Sequence, residues 1–193
     1  MDLESELHPL APFCPAGAKL LMLGSFPPRK NRWSMDFYYP NLQNDMWRII
    51  GLIFHGDKDY FLTETKKAFC KDRICHFLEE KGIALSDAAV EIIRQKGNAS
   101  DKFLEVVTPM DIQKTLRILP DCRAIVTTGQ KATDTLLRLL PVTEPKVGCY
   151  SGFEYTGRRM RLYRMPSSSR AYPKPIQEKA AVYEQMFREL GMI

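Results

Sequence analysis

Short apolar runs alternate with amphipathic segments along most of the chain. The run "AKLLMLGS", residues 18–25, is nearly continuous in apolar residues and ends in small ones, which is typical of a strand covered on both faces. Residues 45–54 repeat apolar positions at helical spacing, and Asn44 stands where a helix N-cap is expected. This part of the chain is therefore predicted to be a strand, a long loop and a helix.

The same alternation continues to the end of the sequence. Residues 65–82, 110–122 and 176–190 are predicted helices, 83–89 a strand, 123–140 a strand, turn and helix, and 159–173 a strand followed by a loop. Strands that alternate with helices favour an α/β fold, here a three-layer sandwich with a mostly parallel central sheet flanked by helices. No repeat, low-complexity tract or linker divides the sequence, so we expect a single domain over residues 1–193.

Composition narrows the class of protein. The chain has 193 residues, of which 45% are hydrophobic, and this is enough for one domain with one sizeable core. No apolar run approaches the roughly 18 residues of a membrane span, and the start lacks a signal-peptide layout, so we expect a cytoplasmic protein. Five cysteines without a C-x-x-C pair, with only three histidines, argue against a disulfide framework and a zinc site. We expect no metal and no cofactor.

The net charge of +5 is unevenly distributed along the chain. Basic residues follow the first predicted strand and crowd near the end of the sequence. These residues are Arg29, Lys30, Arg32, Arg158, Arg159, Arg161, Arg164 and Arg170. Basic clusters beside candidate site loops suit a polyanionic partner, and a solvated basic surface is about as well supported by composition alone.

Three loops are candidates for a binding site. In parallel α/β sheets, ligands bind in the crevice outside the carboxyl ends of the strands. The loops that follow predicted strands there are residues 24–44, the turn around Asp87, and residues 165–173. We expect the first and the last of these to line one site.

The first loop combines a small residue, aromatic rings and amides. Gly24 permits a close backbone approach, and aromatic faces such as those of Tyr38 and Tyr39 stack on bases for about 1 to 3 kcal/mol each. An asparagine such as Asn44 can present a donor and an acceptor to a base or hold a water. Taken singly, the tyrosines fit a core and Asn44 fits a helix cap; their combination in one loop favours a site.

The last loop, "MPSSSRAY", carries Ser167, Ser168 and Ser169 before Arg170 and Tyr172. Small hydroxyls and exposed amides can grip a phosphodiester backbone, and a long or aromatic side chain can fill the gap that a displaced base leaves. Serine-rich turns are usually only turns. The position at a second strand end with basic flanks favours the functional interpretation.

Two carboxylates belong to these loops. Asp87 could be a buried group that positions others in the site, although a helix cap or turn residue is slightly favoured. Asp36 lies beside the aromatic cluster, and its spacing assigns it no role.

In these motifs the chain resembles the uracil-DNA glycosylase superfamily, and most closely its hypoxanthine-DNA glycosylase and mismatch-specific uracil glycosylase branches. The matching segments are "LGSFPP", "YYPNLQNDMW" and "MPSSSRAY", in the order of the family, and "GIALSD" and "TTGQKA" are also similar. The resemblance covers roughly residues 18–185. Each motif is weak alone, and the set is fairly specific.

The resemblance implies a base pocket and a catalytic group. Gly24, Ser25 and Phe26 would form the first wall of the pocket, and Tyr39 would stack on the extruded base. Asn44 matches the asparagine implicated in catalysis in the hypoxanthine branch and would position the attacking water. We keep Asp36 as the reserve candidate for that water.

The resemblance also implies a DNA contact and shows two departures. Residues 167–170 would pinch the DNA backbone and plug the helix. Phe26 stands where many relatives have Asp or Asn to hold the water, and Met165 stands where the best-known branch has His. Two usual catalytic groups are therefore missing.

The function implied is a DNA glycosylase of base-excision repair, a monomer that excises uracil or hypoxanthine from damaged or mismatched DNA. Two alternatives come from other classes. A non-catalytic relative would keep the pocket and bind DNA without releasing a base. A serine hydrolase using Ser25 is weaker, because no histidine or aspartate stands in an evident triad.

Overall fold

A computed structural model describes residues 4–95 and 101–193. Within these residues there are eight strands and five α-helices. The strands are β1 (Ser5–Leu7), β2 (Leu20–Gly24), β3 (Ile83–Asp87), β4 (Ala89–Arg94), β5 (Leu104–Pro109), β6 (Ala124–Thr128), β7 (Tyr150–Tyr155) and β8 (Arg158–Met165). The helices are α1 (Met46–His55), α2 (Lys71–Lys81), α3 (Ile112–Ile118), α4 (Gln130–Leu137) and α5 (Ile176–Glu189). None of the described helices is long and apolar enough to cross a membrane.

Five strands form the central sheet in the order β3-β2-β6-β8-β7. The first four are parallel, and only β7 runs antiparallel to its neighbour β8. The mostly parallel sheet expected from the alternation of strands and helices is therefore confirmed. The four parallel strands end at one edge of the sheet, at Gly24, Asp87, Thr128 and Met165.

The core consists of two apolar clusters, one on each face of this sheet. Leu20 and Met22 pack with side chains of α1, α2 and α5, whereas Leu21 and Leu23 pack with side chains of α3 and α4. All four are at most 1% exposed, and burying each contributes roughly 1.5 to 3 kcal/mol. Helices on both faces explain the continuous apolar run of β2 and confirm the three-layer sandwich.

A second, smaller sheet was not predicted. It contains β1, β4 and β5, paired antiparallel in the order β1-β4-β5. β1 has only three residues, and most of β5 is exposed or half-buried, so neither shows a strong apolar pattern. The strand predicted over residues 83–89 is two strands, because Ala88 leaves the central sheet and β4 turns into the small one.

Two helix starts differ from the predictions. The N-cap of α1 is Asp45 rather than Asn44, although the Asn44 Oδ1 accepts a hydrogen bond from the Met46 amide at 3.0 Å. α2 begins at Lys71 rather than at residue 65. The preceding residues form a turn closed by a bridge between Leu62 and Phe69, and this turn uses the backbone that a longer helix would need.

An ion pair ties the small sheet to the loop after β2. Arg94 donates to both carboxylate oxygens of Glu6, at 3.0 and 3.1 Å, and to the Pro27 carbonyl at 3.3 Å. The Arg94 side chain is 3% exposed, so these acceptors must stabilise its buried positive charge in place of water. The pair fixes the path of residues 25–28, which border the site described below.

The Glu6→Gln substitution should change the acid dependence of stability. The Arg94 hydrogen bond lowers the pKa of Glu6, so its stabilisation is present at neutral pH and is lost as pH falls through that lowered pKa. The variant should be less stable than wild type by on the order of 1 kcal/mol at pH 7, with the difference shrinking in acid. Denaturant melts across pH measure this. Glu64→Gln, at an exposed glutamate without an ion pair in the described chain, should show no such convergence.

Candidate functional site

A cleft of about 720 Å³ lies at the carboxyl edge of the central sheet. Residues 24–28, 39–44, 128–131 and 164–172 contribute to its walls, together with Asp87, Asp101 and Lys102. The loops expected to meet, 24–44 and 165–173, do line one cleft. A second cleft of about 600 Å³ at β7 and β8 holds none of the predicted site residues.

The floor of the cleft depends on a glycine. Gly24 and Asp87 are partners in the register of β2 and β3. A Cβ atom at Gly24 would lie 2.4 Å from Asp87 Oδ1 and 3.2 Å from the Tyr39 hydroxyl. No side chain fits between these groups, so Gly24 lets the carboxylate and the phenol meet beside the end of β2.

Tyr39 is held in place from several sides. Its hydroxyl lies 2.8 Å from Thr128 Oγ1, at the end of β6, and its ring meets the edge of Trp47 with centroids 6.0 Å apart. Its backbone has a φ of 51°, which is uncommon for a residue with a side chain. Burial, and then the charge of Asp87, raise the pKa of Tyr39, so the residue acts as a neutral phenol.

Asp87 is paired with a histidine that sequence reasoning did not single out. His8 Nε2 lies 2.8 Å from Asp87 Oδ2, and the two side chains are 6% and 8% exposed. His8 comes from the segment just after β1, far from Asp87 in sequence. A lone histidine near one end of a chain carries no pattern that would place it here.

A second carboxylate was also missed. Ser25 donates its hydroxyl hydrogen to Asp101 Oδ1 at 2.8 Å, and both residues line the cleft. Burial raises the pKa of Asp101, and the Ser25 hydrogen bond opposes that shift. Phe26, beside Ser25, lines the cleft while packing against the apolar cluster of Ala89, Ile92 and Leu104.

Asn44 stands where the two predicted loops touch. Its backbone forms an antiparallel bridge with Ser169, and the next amide, of Asp45, donates to the Ser168 carbonyl at 2.9 Å. The Asn44 Oδ1 is occupied by the Met46 amide, whereas its Nδ2 donates no hydrogen bond to any described residue. The amide group is therefore oriented by α1, with its two N–H donors left for a ligand or water.

The serine loop uses part of its own polar groups. Ser167 Oγ accepts from the Ser169 amide, and Ser169 Oγ accepts from the Ala171 amide, each at 3.2 Å. Ser168 is 2% exposed, so its side chain lies beneath the loop surface. The Ser167 and Ser169 hydroxyl hydrogens stay available to an acceptor such as a phosphate oxygen.

A network of charges fastens this loop to the helices. Arg170 Nε donates to Asp45 Oδ1 at 3.0 Å, and Lys179 Nζ donates to the Ser169 carbonyl at 2.7 Å. Lys179 is only 1% exposed, and burial lowers its pKa. The Arg170 side chain stays 45% exposed, so it can reach a ligand while its Nε is anchored.

The walls of the cleft carry more positive than negative charge. Its acidic residues are Asp87 and Asp101. Its basic residues are Arg32, Lys102, Lys131, Arg164 and Arg170. A basic rim above an acidic floor suits a ligand with negative charge at its periphery and none at its buried end.

Asp36 and Met165 do not supply polar catalytic groups to the cleft. Asp36 is not part of the cleft: its side chain is 77% exposed and its carboxylate pairs with Lys30 at 2.7 Å. Met165 does line the cleft, at 1% exposure, with a side chain that carries no titrating group. Nowhere in residues 4–95 and 101–193 do three histidine, cysteine or acidic side chains group as metal ligands, and the five cysteines are free thiols.

The sheet order, the covered faces and the cleft at the carboxyl edge define an α/β sandwich with its site at the strand ends. The structure is similar to the solution NMR structure of a putative uracil DNA glycosylase from Methanosarcina acetivorans, with a TM-score of 0.61 and 23% identity. The match covers 94% of this chain and 96% of that one. The chain therefore has the uracil-DNA-glycosylase-like fold that the motifs implied. No family model and no curated protein matches the sequence. Membership of the uracil-DNA glycosylase superfamily, and the branch within it, stay predictions.

Gly24→Ala should disturb the floor of the cleft. The new methyl group would displace the Asp87 carboxylate or the Tyr39 ring, and such overpacking typically costs about 1 to 3 kcal/mol. We expect a lower melting temperature and weaker binding at the site. Gly152→Ala is the matched control, because a Cβ there meets nothing within 4 Å and its φ is not positive. Equal melting of both variants would contradict the close approach.

Lys179→Met should loosen the serine loop. The variant keeps most of the side-chain volume and leaves the Ser169 carbonyl without its donor, a loss of roughly 1.5 to 3 kcal/mol. We expect reduced thermal stability and weaker DNA binding, measured by melting and by fluorescence anisotropy. Lys114→Met, at an exposed position of α3, should change neither.

Proposed function

We propose that the protein is a DNA glycosylase that flips uracil or hypoxanthine out of DNA and hydrolyses its N-glycosidic bond, in base-excision repair. The observation that carries this proposal is the single cleft that brings Gly24, Tyr39 and Asn44 together with the serine loop. The shared fold of a putative uracil DNA glycosylase supports it.

The cleft is suited to one extruded base. A volume of about 720 Å³ is in the range of small-molecule sites, and it suffices for a base with its sugar. In the proposal, Tyr39 and Phe26 supply ring surface for the base, and the backbone amides of Ser25 and Phe26 donate to its carbonyl oxygen. Extrusion costs a few kcal/mol and costs least for a mismatched base, which favours damaged sites.

The rim is suited to the DNA backbone. Hydroxyls of Ser167 and Ser169 and the half-exposed guanidinium of Arg170 lie on one loop, and that loop is fixed by the network around Asp45. Such groups position a phosphodiester chain without reading sequence. We propose that Arg170, or a ring beside it, enters the gap left by the base. The protein would act on DNA as a monomer.

Catalysis would rest mainly on preorganised dipoles. As the C1′–N bond breaks, positive charge develops on the sugar and the bonding electron pair leaves with the base. Donors held in place before the reaction stabilise the base anion at no cost of reorganisation. Asn44, oriented through its Oδ1, would hold the water with an Nδ2 hydrogen directed to the water oxygen. Asp36 takes no part in this proposal, because its carboxylate lies outside the cleft.

One observation favours a second candidate function. Phe26 and Met165 line the cleft at positions where relatives carry polar catalytic groups, and Phe26 packs into an apolar cluster. A DNA-binding protein without chemistry would keep this pocket and rim. The hydrolase alternative has less support, since the Ser25 hydroxyl donates to Asp101 and contacts no histidine of the described chain.

Asn44→Ala should reduce base release by orders of magnitude while leaving DNA binding nearly intact. Loss of a group that positions water should lower the single-turnover rate by about 100-fold or more. The assay is cleavage of abasic products from duplexes that carry one uracil, hypoxanthine, xanthine or thymine mismatch. Asn31→Ala is the matched control, because Asn31 is exposed and does not line the cleft.

The outcomes separate the two candidate functions. Release by wild type that Asn44→Ala loses and Asn31→Ala keeps supports the glycosylase and identifies its base. No release from any duplex by wild type, together with salt-sensitive binding, supports the non-catalytic DNA-binding protein instead.

A further inference from the structure

A buried carboxylate and a buried imidazole meet at the floor of the cleft, and the mechanism above uses neither. Asp87 is 7% exposed and lines the cleft, and His8 approaches it from behind. Carboxylates are seldom buried at the end of a strand without a role or a partner, and this one has a partner on one oxygen only.

His8 holds the first oxygen of Asp87 in a defined orientation. His8 Nδ1 lies 3.0 Å from the Leu10 carbonyl oxygen and 3.1 Å from the Leu10 amide nitrogen, so this residue holds the ring from one side. On the other side, His8 Nε2 lies 2.8 Å from Asp87 Oδ2, and since an ionised carboxylate only accepts, Nε2 is the donor of this hydrogen bond. The imidazole ring is packed edge-on against Phe26 and beside Tyr38, with centroids 5.1 and 5.9 Å apart. Neither the ring nor the carboxylate is free to rotate.

The second oxygen, Oδ1, faces the cleft. It would lie 2.4 Å from a Cβ at Gly24, at the point where β2 ends. It accepts no hydrogen bond from residues 4–95 or 101–193. No fully buried side-chain oxygen in that part of the chain lacks a partner, so Oδ1 keeps some contact with solvent although Asp87 is only 7% exposed. An ionised oxygen so placed is a ready acceptor for a proton or a water hydrogen.

We propose that Asp87 is the general base of the reaction and that His8 is its positioning residue. The inference rests on the proposed glycosylase function. The water oxygen forms a bond to C1′ as the C1′–N bond breaks, and the electron pair of that bond leaves with the base. The water proton passes to Asp87 Oδ1, while Asn44 orients the water.

The other two carboxylates considered are less suited to this step. Asp36 is exposed and paired with Lys30, outside the cleft. Asp101 accepts the Ser25 hydrogen, and burial raises its pKa, which favours the protonated form that cannot accept a proton. Asp87 also supplies negative charge to the cleft that Phe26 lines, where Phe26 itself stands at the position in which relatives place their polar group.

The titratable groups that face Asp87 are His8, Tyr38, Tyr39 and Asp101, and they determine how the reaction rate could depend on pH. Tyr38 and Tyr39 have pKa values raised first by burial, so both stay neutral while the enzyme works. Asp101 lies near enough for the two carboxylates to repel each other, and Lys131 and Arg94 oppose that repulsion. An acid limb in the rate would therefore not come from these two tyrosines.

The decisive variant is Asp87→Asn, assayed on whichever duplex of the panel wild type cleaves. The substitution keeps shape and removes the base, so the single-turnover rate should fall about 100-fold or more and the acid limb of its pH profile should disappear. The dissociation constant for the duplex, measured by anisotropy, should stay near the wild-type value. Asp121→Asn is the control, because Asp121 is exposed before β6, at the opposite edge of the sheet.

His8→Phe tests the positioning role. Phenylalanine keeps the ring against Phe26 and removes the hydrogen bond to the Asp87 carboxylate, so the acid limb of the rate should move to higher pH. The rate at saturating DNA should fall less than in Asp87→Asn, with binding unchanged. A merely structural role would lower stability without moving the acid limb. If Asp87→Asn does not melt cooperatively and is therefore unfolded, the pH profile of His8→Phe is the test of the proposal.

The failures of the two ideas are distinguishable. If Asn44→Ala loses base release while Asp87→Asn releases at the wild-type rate, the general base is overturned and the glycosylase stands. An unmoved acid limb in a folded His8→Phe overturns the role of His8. If wild type releases no base from any duplex, the function fails and the inference fails with it.

Discussion

The site depends on the missing side chain at Gly24. Strands β2 and β3 are paired in register up to their last residues, so Gly24 and Asp87 end side by side. The space that a methyl group would need is filled by the Asp87 carboxylate and the Tyr39 hydroxyl. Every other part of the floor follows from this contact, because Tyr39 reaches Thr128 on the next strand and Asp87 reaches His8 behind the sheet. Parallel pairing aligns the ends of β2 and β3, and the absence of a side chain at Gly24 leaves space for the Asp87 carboxylate and the Tyr39 hydroxyl.

A second constraint joins the two ends of the chain around the same cleft. The carboxylate of Asp45, at the start of α1, accepts a hydrogen bond from Arg170, and the Asp45 backbone amide donates one to the Ser168 carbonyl. Lys179 of α5 then holds the Ser169 carbonyl from below. Buried polar networks of this kind are costly unless every member is paired, and here the described members are paired. The result is a loop whose hydroxyls and half-exposed guanidinium keep their places before any ligand arrives.

The sequence allowed the parallel strands of the central sheet, its helices and the position of the cleft to be predicted, because these follow from apolar periodicity and from the rule for parallel strand ends. The antiparallel strand β7 was not predicted, since its residues are exposed or half-buried and show no apolar run. The order of the strands, with β2 between β3 and β6, was not predicted. The small sheet could not be predicted, since β1 is three residues long and β5 is largely exposed. The start of α2 was missed because the local turn near Phe69 competes with helix formation.

The same distinction applies to the site. Gly24, Tyr39 and Asn44 could be found because they sit in one loop with a recognisable motif, although the roles assigned to them stay predictions. Asp36 belonged to that loop too, yet its carboxylate points to Lys30 at the surface, since proximity in sequence does not fix the direction of a side chain. His8 could not be found, because it reaches the cleft only through the tertiary packing of the segment after β1.

The cleft is polar although Phe26 and Met165 line it, because Asp87 supplies a carboxylate beside them. Phe26 packs on the small sheet and against the His8 ring, so this apolar side chain supports the imidazole that holds Asp87. The apolar wall lowers the local dielectric, and this strengthens the interaction of Asp87 with any positive charge that develops nearby. In the glycosylase that we propose, Asp87 on β3 would oppose the positive charge of a sugar cation, and the basic rim of the cleft would meet the phosphates. Phe26 and the unexpected His8–Asp87 pair are therefore parts of one packed arrangement.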